Sequence, residues 1–458
     1  MRLLHTSDWH LGKSLMTKKR HEEHVAFLAW LLGVLREEAV DALVIAGDVF
    51  DTSAPGTAAQ QLYYTFLRDV FTTPCRHVLV IGGNHDSPSF LNAPRELLKA
   101  FSVHVVGCAE GPEHEVIVLR DPALSSSTDS AVFERGCEDV KAVVCAVPYL
   151  RDRDVRISAP GESLEEKAAN VVQGIAAHYA EVADAARSFC HSAGNRPPLI
   201  VTGHLFAAGG KVYEGEGVRE LSVGSLGAVP LEVFPADADY VALGHLHSPQ
   251  IVGGDATRRY SGSPIPLSFA EAGREKSVCL VDFAHAGPEI RLIPVPEFQK
   301  IASLEGTLDE LRQGLAALVA QDESVWAEVL CRGEAVVDNL RTRIDEVVSG
   351  SKVEVLRVRL ESMAHCGLQG EDGEMLGDMR EEDVFARCLE RFNVADEQRP
   401  ELMSMFQEVL SAAREAFAAA EYGQVELDSD MLKVSELPLL PGIPQKHRDA
   451  KKNGQGDT

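Results

Sequence analysis

The stretch Tyr240-Val241-Ala242-Leu243-Gly244-His245-Leu246-His247 decides how this chain is read. Its first four residues form an apolar run fit for a buried strand, and the glycine lets the backbone turn sharply where the strand ends. Two histidines two residues apart at that point present two imidazoles to one small volume, and imidazole is a common ligand of transition metals. An isolated H-x-H is more often a pair of polar loop residues. Here the pattern repeats. Four other apolar runs end in the same way: Leu3 to Ser7 in Asp8-Trp9-His10, Ala42 to Ala46 in Gly47-Asp48-Val49-Phe50-Asp51, Val78 to Gly82 in Gly83-Asn84-His85-Asp86, and Leu199 to Thr202 in Gly203-His204. In an α/β sheet, ligands gather beyond the strand ends where loops converge. Five runs delivering Asp, Asn or His at the same structural place point to one shared site.

The helical stretches between these runs fit an α/β sheet with parallel neighbours. Residues 18–39 carry Val25, Leu28, Leu31, Leu32 and Leu35 at helical spacing, and residues 57–70 carry Leu62, Phe66 and Val70. Residues 107–141 are less regular: Ser125 to Thr128 read as a surface loop between strand-like pieces at 115–120 and 142–147. Residues 162–191 read as a long helix, and Gly209-Gly210 and Gly215 to Gly217 mark a loop. Near residue 275 the character changes. Two strands (277–283 and 289–295) read as a hairpin, followed by helix 307–320, strand 325–331, helix 334–348 and strand 352–360. An acid- and glycine-rich linker over 366–379 precedes two amphipathic helices, 380–392 and 401–420. Those helices either pack on their own chain or lie against a partner. From about residue 426 the helical spacing is lost, and the end of the chain is expected to be disordered.

The 458 residues allow two or three domains. No apolar run approaches a membrane span, and the chain begins directly in a strand, so no secretory signal is expected. Nine scattered cysteines without a C-x-x-C favour reduced thiols and a cytoplasmic location. The net charge of −26 argues against broad, non-specific duplex binding by the chain alone. It leaves room for a nuclease, because bound cations invert the local field and a partner can supply basic surface. A local basic cluster, Arg151, Arg153 and Arg156, either contacts a phosphate backbone or is a solvated loop. No G-x-x-x-x-G-K-[ST] occurs, so ATP binding must come from elsewhere.

Taken together, Asp8, His10, Asp48, Asn84, His204, His245 and His247 exceed the four ligands of a tetrahedral zinc. Their mixed oxygen and nitrogen donors suit two divalent ions such as manganese or iron, with Asp48 as the natural bridging carboxylate. Two ions about 3.5–4 Å apart clamp the attacking and leaving oxygens of a phosphoester displacement and acidify a water as nucleophile. The leaving oxygen then needs a proton. His85, beside Asn84, is placed to give it, and Asp51 is expected to hold that imidazole by a hydrogen bond. The plainer alternative makes His85 a structural histidine behind the ligands.

The ordered set D-x-H, G-D-x-x-D, G-N-H-D, G-H and G-H-x-H resembles the calcineurin-like metallophosphoesterases over residues 1–270. That resemblance implies a metallophosphoesterase β-sandwich flanked by helices. It implies Asp8, His10, Asp48 and His247 on one ion and Asp48, Asn84, His204 and His245 on the other, with His85 as acid partnered by Asp51. Within the superfamily, His5-Thr6-Ser7-Asp8-Trp9-His10-Leu11-Gly12, Pro148-Tyr149-Leu150-Arg151 and Tyr260-Ser261-Gly262-Ser263-Pro264 resemble the nuclease subunits of bacterial SbcCD-type complexes. This implies a nuclease domain (1–275), a small α+β cap domain (276–365), a linker and partner-binding helix pair (366–425) and a tail (426–458). It further implies manganese-dependent cleavage of DNA, a homodimer within a heterotetramer, and an SbcC-type ATPase received by the C-terminal helices. Alternatives of another class are a metallophosphoesterase acting on nucleotides or phosphoproteins, and a non-catalytic scaffold; the extra domain weighs against the first and the complete ligand set against the second.

Overall fold

In the computed structural model, residues 1–121, 140–156, 162–192, 196–211, 228–283, 287–332 and 340–361, with 385, 389, 399, 402, 403 and 405–407, are described. All five apolar runs that end in polar residues are strands, and they divide between two sheets. In the first, β1 (Arg2–Thr6), β2 (Ala42–Ala46), β3 (His77–Ile81) and β4 (Val103–Val106) run parallel. In the second, β5 (Val116–Arg120), β6 (Val140–Cys145), β7 (Leu199–His204), β8 (Tyr240–Gly244), β9 (Gln250–Val252) and β10 (Asp255–Tyr260) are ordered β9-β10-β8-β7-β6-β5. There β6, β7, β8 and β10 are parallel, and the edge strands β5 and β9 pair antiparallel.

The runs are unbroken in hydrophobicity because both faces of each sheet are covered. In β2, Leu43 and Ile45 point to one side, where they pack with Phe27, Leu31 and Leu35 of α1 (His21–Glu37) and Phe66 and Leu67 of α2 (Thr57–Val70). Ala42, Val44 and Ala46 point to the other side, into an alanine-rich layer with Ala142, Ala146, Ile200 and Ala242 of the second sheet. The far face of the second sheet is covered by α3 (Leu164–Ser192) through Val171, Ile175, Tyr179 and Val182. The result is a four-layer sandwich, helix–sheet–sheet–helix, in which both sheets send the carboxyl ends of their parallel strands toward the same loops.

Two differences from the sequence reading have clear causes. Residues 18–20 precede the first helix: Ser14–Leu15 and Lys18–Lys19 form a short antiparallel hairpin, and the helix begins at His21. Arg20 is fully buried, its guanidinium held by Glu23 and the carbonyl of Pro266, which fixes the turn just ahead of the helix. The second difference lies past residue 275. There the hairpin of β11 (Ser277–Asp282) and β12 (Glu289–Pro294) completes the first sheet, because β11 pairs antiparallel with β1. A hairpin is recognisable locally; the sheet edge it joins is set by a strand some 275 residues away in sequence, at Leu4↔Leu280 and His5↔Cys279.

Beyond it, β13 (Lys300–Gly306), α4 (Leu308–Val319), β14 (Val325–Arg332), α5 (Leu340–Val348) and β15 (Val353–Glu361) alternate. The three strands are parallel, with helical crossovers. Their own core is Leu311, Leu315, Val325, Ala327, Val329, Ile344 and Val355. Thr307 and Glu310 cap α4 reciprocally. This unit meets the sandwich through Ile301, Trp326 and Leu356 against Leu15 and Phe269, and Lys18 reaches over the Trp326 ring and pairs with Glu354.

Residues Ala364–Thr458 form a second unit, of which only scattered helical positions are described. Among them the rings of Phe385 and Phe406, one from each expected helix, stack 4.1 Å apart. The remainder of the expected linker, helix pair and tail, and residues 122–139 of the irregular stretch, lie outside the described residues.

Candidate metal centre

The loops that follow β1, β2, β3, β7 and β8 converge, and they are laced by backbone hydrogen bonds before any side chain acts. Asp8 N–H donates to Gly47 O and His10 N–H to Asp48 O, each at 3.0 Å. Buried Asp86 accepts from the N–H groups of Val49, Phe50 and Gly83, tying the second loop to the third. Glycines make the approach possible. A Cβ on Gly83 would lie 2.1 Å from Asp48 Oδ1, and one on Gly47, at φ +90°, would lie 2.3 Å from His204 Nδ1. Four of the seven expected ligands occupy the left-handed backbone region: Asp8 (φ 54°), His10 (48°), Asp48 (48°) and His245 (102°). Such conformations cost about 1–3 kcal/mol each and persist where the surroundings over-determine them.

The expected ligands are brought together in two groups, and His10 forms a third with Asp51 and His85. Asp8, His10 and His247 each offer a ligand atom within 4.8 Å of the others, and so do Asp8, Asp48 and His204. Asp48 stands between them: its Oδ2 is 3.5 Å from His10 Nε2 and 3.4 Å from His204 Nε2, while its Oδ1 accepts the His85 N–H at 2.9 Å. Asn84 Oδ1 faces His204 Nε2 at 3.0 Å and His245 Nδ1 at 3.1 Å. The backbone N–H of His245 donates to both Asp8 oxygens, and Ser7 Oγ also donates to Asp8. His204 Nδ1 meets the Ala46 carbonyl at 2.9 Å.

The residues fit a divalent cation. His10 Nε2 is fully buried without a hydrogen-bond partner, in a place lined by carboxylate oxygens. An unsatisfied buried nitrogen is costly unless something accepts its lone pair. The donors are carboxylate, amide oxygen and imidazole, a mixture of borderline and hard ligands. Charges in the pocket are opposed in sign. Burial favours the neutral acid at Asp48, but the charge of His204 and its hydrogen bond hold the carboxyl well below the usual carboxylate range. Burial lowers His204, and Asp48 outweighs it, raising the imidazole to about 9. Burial and the neighbouring His204 lower His245 to about 3, and burial lowers His10.

His85 lies beside this cluster, its ring 4.8 Å from that of His10. The expected contact with Asp51 takes another form. His85 Nδ1 meets the backbone carbonyl of Asp51 at 2.8 Å, whereas the Asp51 carboxylate turns to His10 Nδ1 at 3.2 Å and to Lys13 Nζ at 2.9 Å. The carboxylate turns there because Lys13 offers it a charged partner and His10 Nδ1 a hydrogen bond. The three arginines do not form a shared exposed patch. Arg156 is nearly buried between Asp152 and Glu162, while Arg153 is exposed beside Asp154. Sequence reasoning missed Glu271 and Lys276, both buried, which back His247. Locally they do not stand out, since Lys276 lies in the charged run Arg274-Glu275-Lys276. Tyr149, within the quoted Pro148-Tyr149-Leu150-Arg151, edges the His204 ring at 6.3 Å.

Comparison with known proteins identifies the family. The calcineurin-like phosphoesterase family matches residues 1–249, and the "Type 5 capsule protein repressor C-terminal domain" family matches residues 297–392. The SbcD subunit of the nuclease SbcCD from Escherichia coli is 36% identical over 412 residues, 89% of this chain and 97% of that protein. Its counterpart of the same name from Rhodobacter capsulatus is 36% identical over 375 residues, 79% of this chain and 86% of its own length. That from Bacillus subtilis is 35% identical over 285 residues, 62% and 66% respectively. A phosphoesterase sandwich whose converging strand ends carry metal-ligand side chains, aligned over 89% of its length with the Escherichia coli protein, makes this chain a phosphodiester hydrolase of the calcineurin-like family and a member of the SbcD nucleases.

Proposed function

We propose that the chain hydrolyses DNA phosphodiesters with two divalent ions, manganese for preference, acting as exonuclease on duplex ends and endonuclease on single strands and hairpins. The observation that carries this is the position of Asp48, whose one carboxylate oxygen lies 3.5 Å from His10 Nε2 and 3.4 Å from His204 Nε2, between two ligand sets. Asp8, His10, Asp48 and His247 would hold one ion; Asp48, Asn84, His204 and His245 would hold the other. When bound, the ions supply Lewis-acid stabilisation of the phosphoryl charge and acidify the attacking water. His85 gives a proton to the leaving oxygen, its ring kept in place by the Asp51 carbonyl on Nδ1 and its backbone by the main-chain N–H donated to Asp48 Oδ1. Asp51 serves this site through His10, which its carboxylate orients.

Two further assignments belong to this reading. The amphipathic helices within 366–425 receive an SbcC-type ATPase, and two copies of this chain join two of the partner in a cytoplasmic DNA repair and recombination complex. Arg151 and Arg153 are the members of the basic cluster left to face a phosphate backbone, since two carboxylates take up Arg156. Incubation with manganese and a labelled DNA hairpin, with a nucleotide phosphodiester for comparison, tests the reaction. Turnover of the hairpin is expected; turnover of the nucleotide alone would instead favour a small-molecule phosphoesterase. Deletion of residues 380–425 should abolish association with the ATPase and leave cleavage of single strands, and retained association would dismiss the docking role.

A further inference from the structure

The histidines of the two ligand sets are backed differently. His204 rests its Nδ1 on a backbone carbonyl, and His245 Nδ1 faces the amide of Asn84. By contrast, His10 and His247 each turn Nδ1 to a carboxylate that also carries a lysine. For His10 the pair is Asp51 with Lys13. For His247 it is Glu271, whose Oε1 lies 3.4 Å from Nδ1 and whose Oε2 is 2.5 Å from Lys276 Nζ.

The second of these pairs sits entirely inside the protein: Glu271 is 0% exposed and Lys276 5%. The Lys276 ammonium spends its donors on Glu271 Oε2, on Ser263 Oγ at 2.9 Å and on the backbone carbonyl of His247 at 3.0 Å. The Ser263 N–H donates to that same carbonyl, also at 3.0 Å. His247 is therefore gripped twice, by its backbone and by its ring. A buried ion pair costs desolvation that packing alone does not require. A carboxylate on the far nitrogen of a histidine fixes its tautomer and raises its strength as a ligand.

We propose that Glu271, held by Lys276, is a positioning residue for the metal centre: it takes the Nδ1–H of His247 and so aims Nε2 at the ion shared with Asp8 and His10. This rests on the reading that Asp8, His10 and His247 hold a cation. Lys276 neutralises the carboxylate, so the ring is oriented without adding a full negative charge behind it. Ser263 Oγ and Ser268 Oγ also donate to Glu271, at 3.3 and 3.4 Å, so the carboxylate is held in one orientation toward the ring.

The test is manganese binding to the metal-free full chain, measured by titration calorimetry and by the electron paramagnetic resonance signal of free Mn(II), with thermal melting alongside. Glu271→Gln keeps the shape and removes the charge. Glu271→Asp keeps the charge and withdraws the carboxylate from the ring by one methylene. The wild type is expected to bind two ions. Glu271→Gln should weaken one of them by about 10–100-fold and leave the other, and Glu271→Asp should weaken the same ion by about tenfold. Unchanged manganese affinity in both variants, even with a lowered melting temperature, would assign Glu271 to the scaffold and overturn the inference. A wild type that binds no manganese would instead overturn the reading of the metal centre.

Discussion

The strand ends of the sandwich and the small three-stranded unit obey different rules. In the small unit, Leu311, Leu315, Val329 and Ile344 fill an apolar core, and a capping box starts α4. Local preferences agree with the fold through most of this unit, Asp322 at φ 53° being an exception. At the strand ends, Asp8, His10, Asp48, His204 and His245 are buried at 5% exposure or less, and four expected ligands hold left-handed backbone. An unpartnered imidazole nitrogen remains at His10. That region breaks these rules far more often, and it stands because two sheets and their covering helices over-determine it. Local conflict with preference is concentrated at the candidate site, where four expected ligands share it.

The comparison is open to direct attack. Its largest expected effect comes from Asp48→Asn, which removes the charge shared by His10 and His204. Manganese binding should be lost and DNA cleavage should fall by about 10³-fold or more; calorimetry and cleavage of labelled hairpin read both. Retained two-ion binding would mean that Asp48 does not join the two sets. His85→Ala should separate chemistry from binding. Cleavage is expected to drop about 10²–10⁴-fold with manganese affinity unchanged, since only proton delivery is removed. A near-normal rate would take the acid role away from His85.

Leu315→Ala strikes the other region. The side chain is fully buried, so the unit should lose about 2–5 kcal/mol by denaturant unfolding. Manganese affinity of the folded protein should not move, and if it did the two regions would be coupled more tightly than their separate cores imply.

The smallest effect concerns a buried pair away from the strand ends, His178 on Glu115 at 2.7 Å. Burial lowers the His178 pKa, but the hydrogen bond and charge of Glu115 outweigh it and raise the imidazole above its ordinary 6.5. A raised folded pKa stabilises fully below the unfolded value and fades as pH rises through the folded one. His178→Gln should therefore destabilise by about 1–3 kcal/mol near and below pH 6.5, and by less as the pH climbs. Melting curves across that range decide it; a gap that widens with pH would reverse the sign of the pairing.

Much of this was legible before any folding. Apolar runs followed by Gly and then Asp, Asn or His announce buried strands with polar ends, and Ala42–Ala46 and Tyr240–Gly244 are strands as the runs predict. What escaped was whatever depends on a partner far along the chain. The edge taken by β11, the buried position of Arg20, the turn of the Asp51 carboxylate to His10, and the Glu271–Lys276 pair behind His247 all belong to that class.

The amino-acid sequence by itself determined which residue types stand at the ends of which strands, because hydrophobic period and turn chemistry are local properties. The tertiary structure alone decided which oxygen and which nitrogen face each other. Asp48 reaches His204 across 156 positions of sequence, and that meeting is made by two sheets stacking through a layer of aliphatic and alanine side chains. Spacing along a chain carries no information about the orientation of a ring or a carboxylate; only the packing around it does.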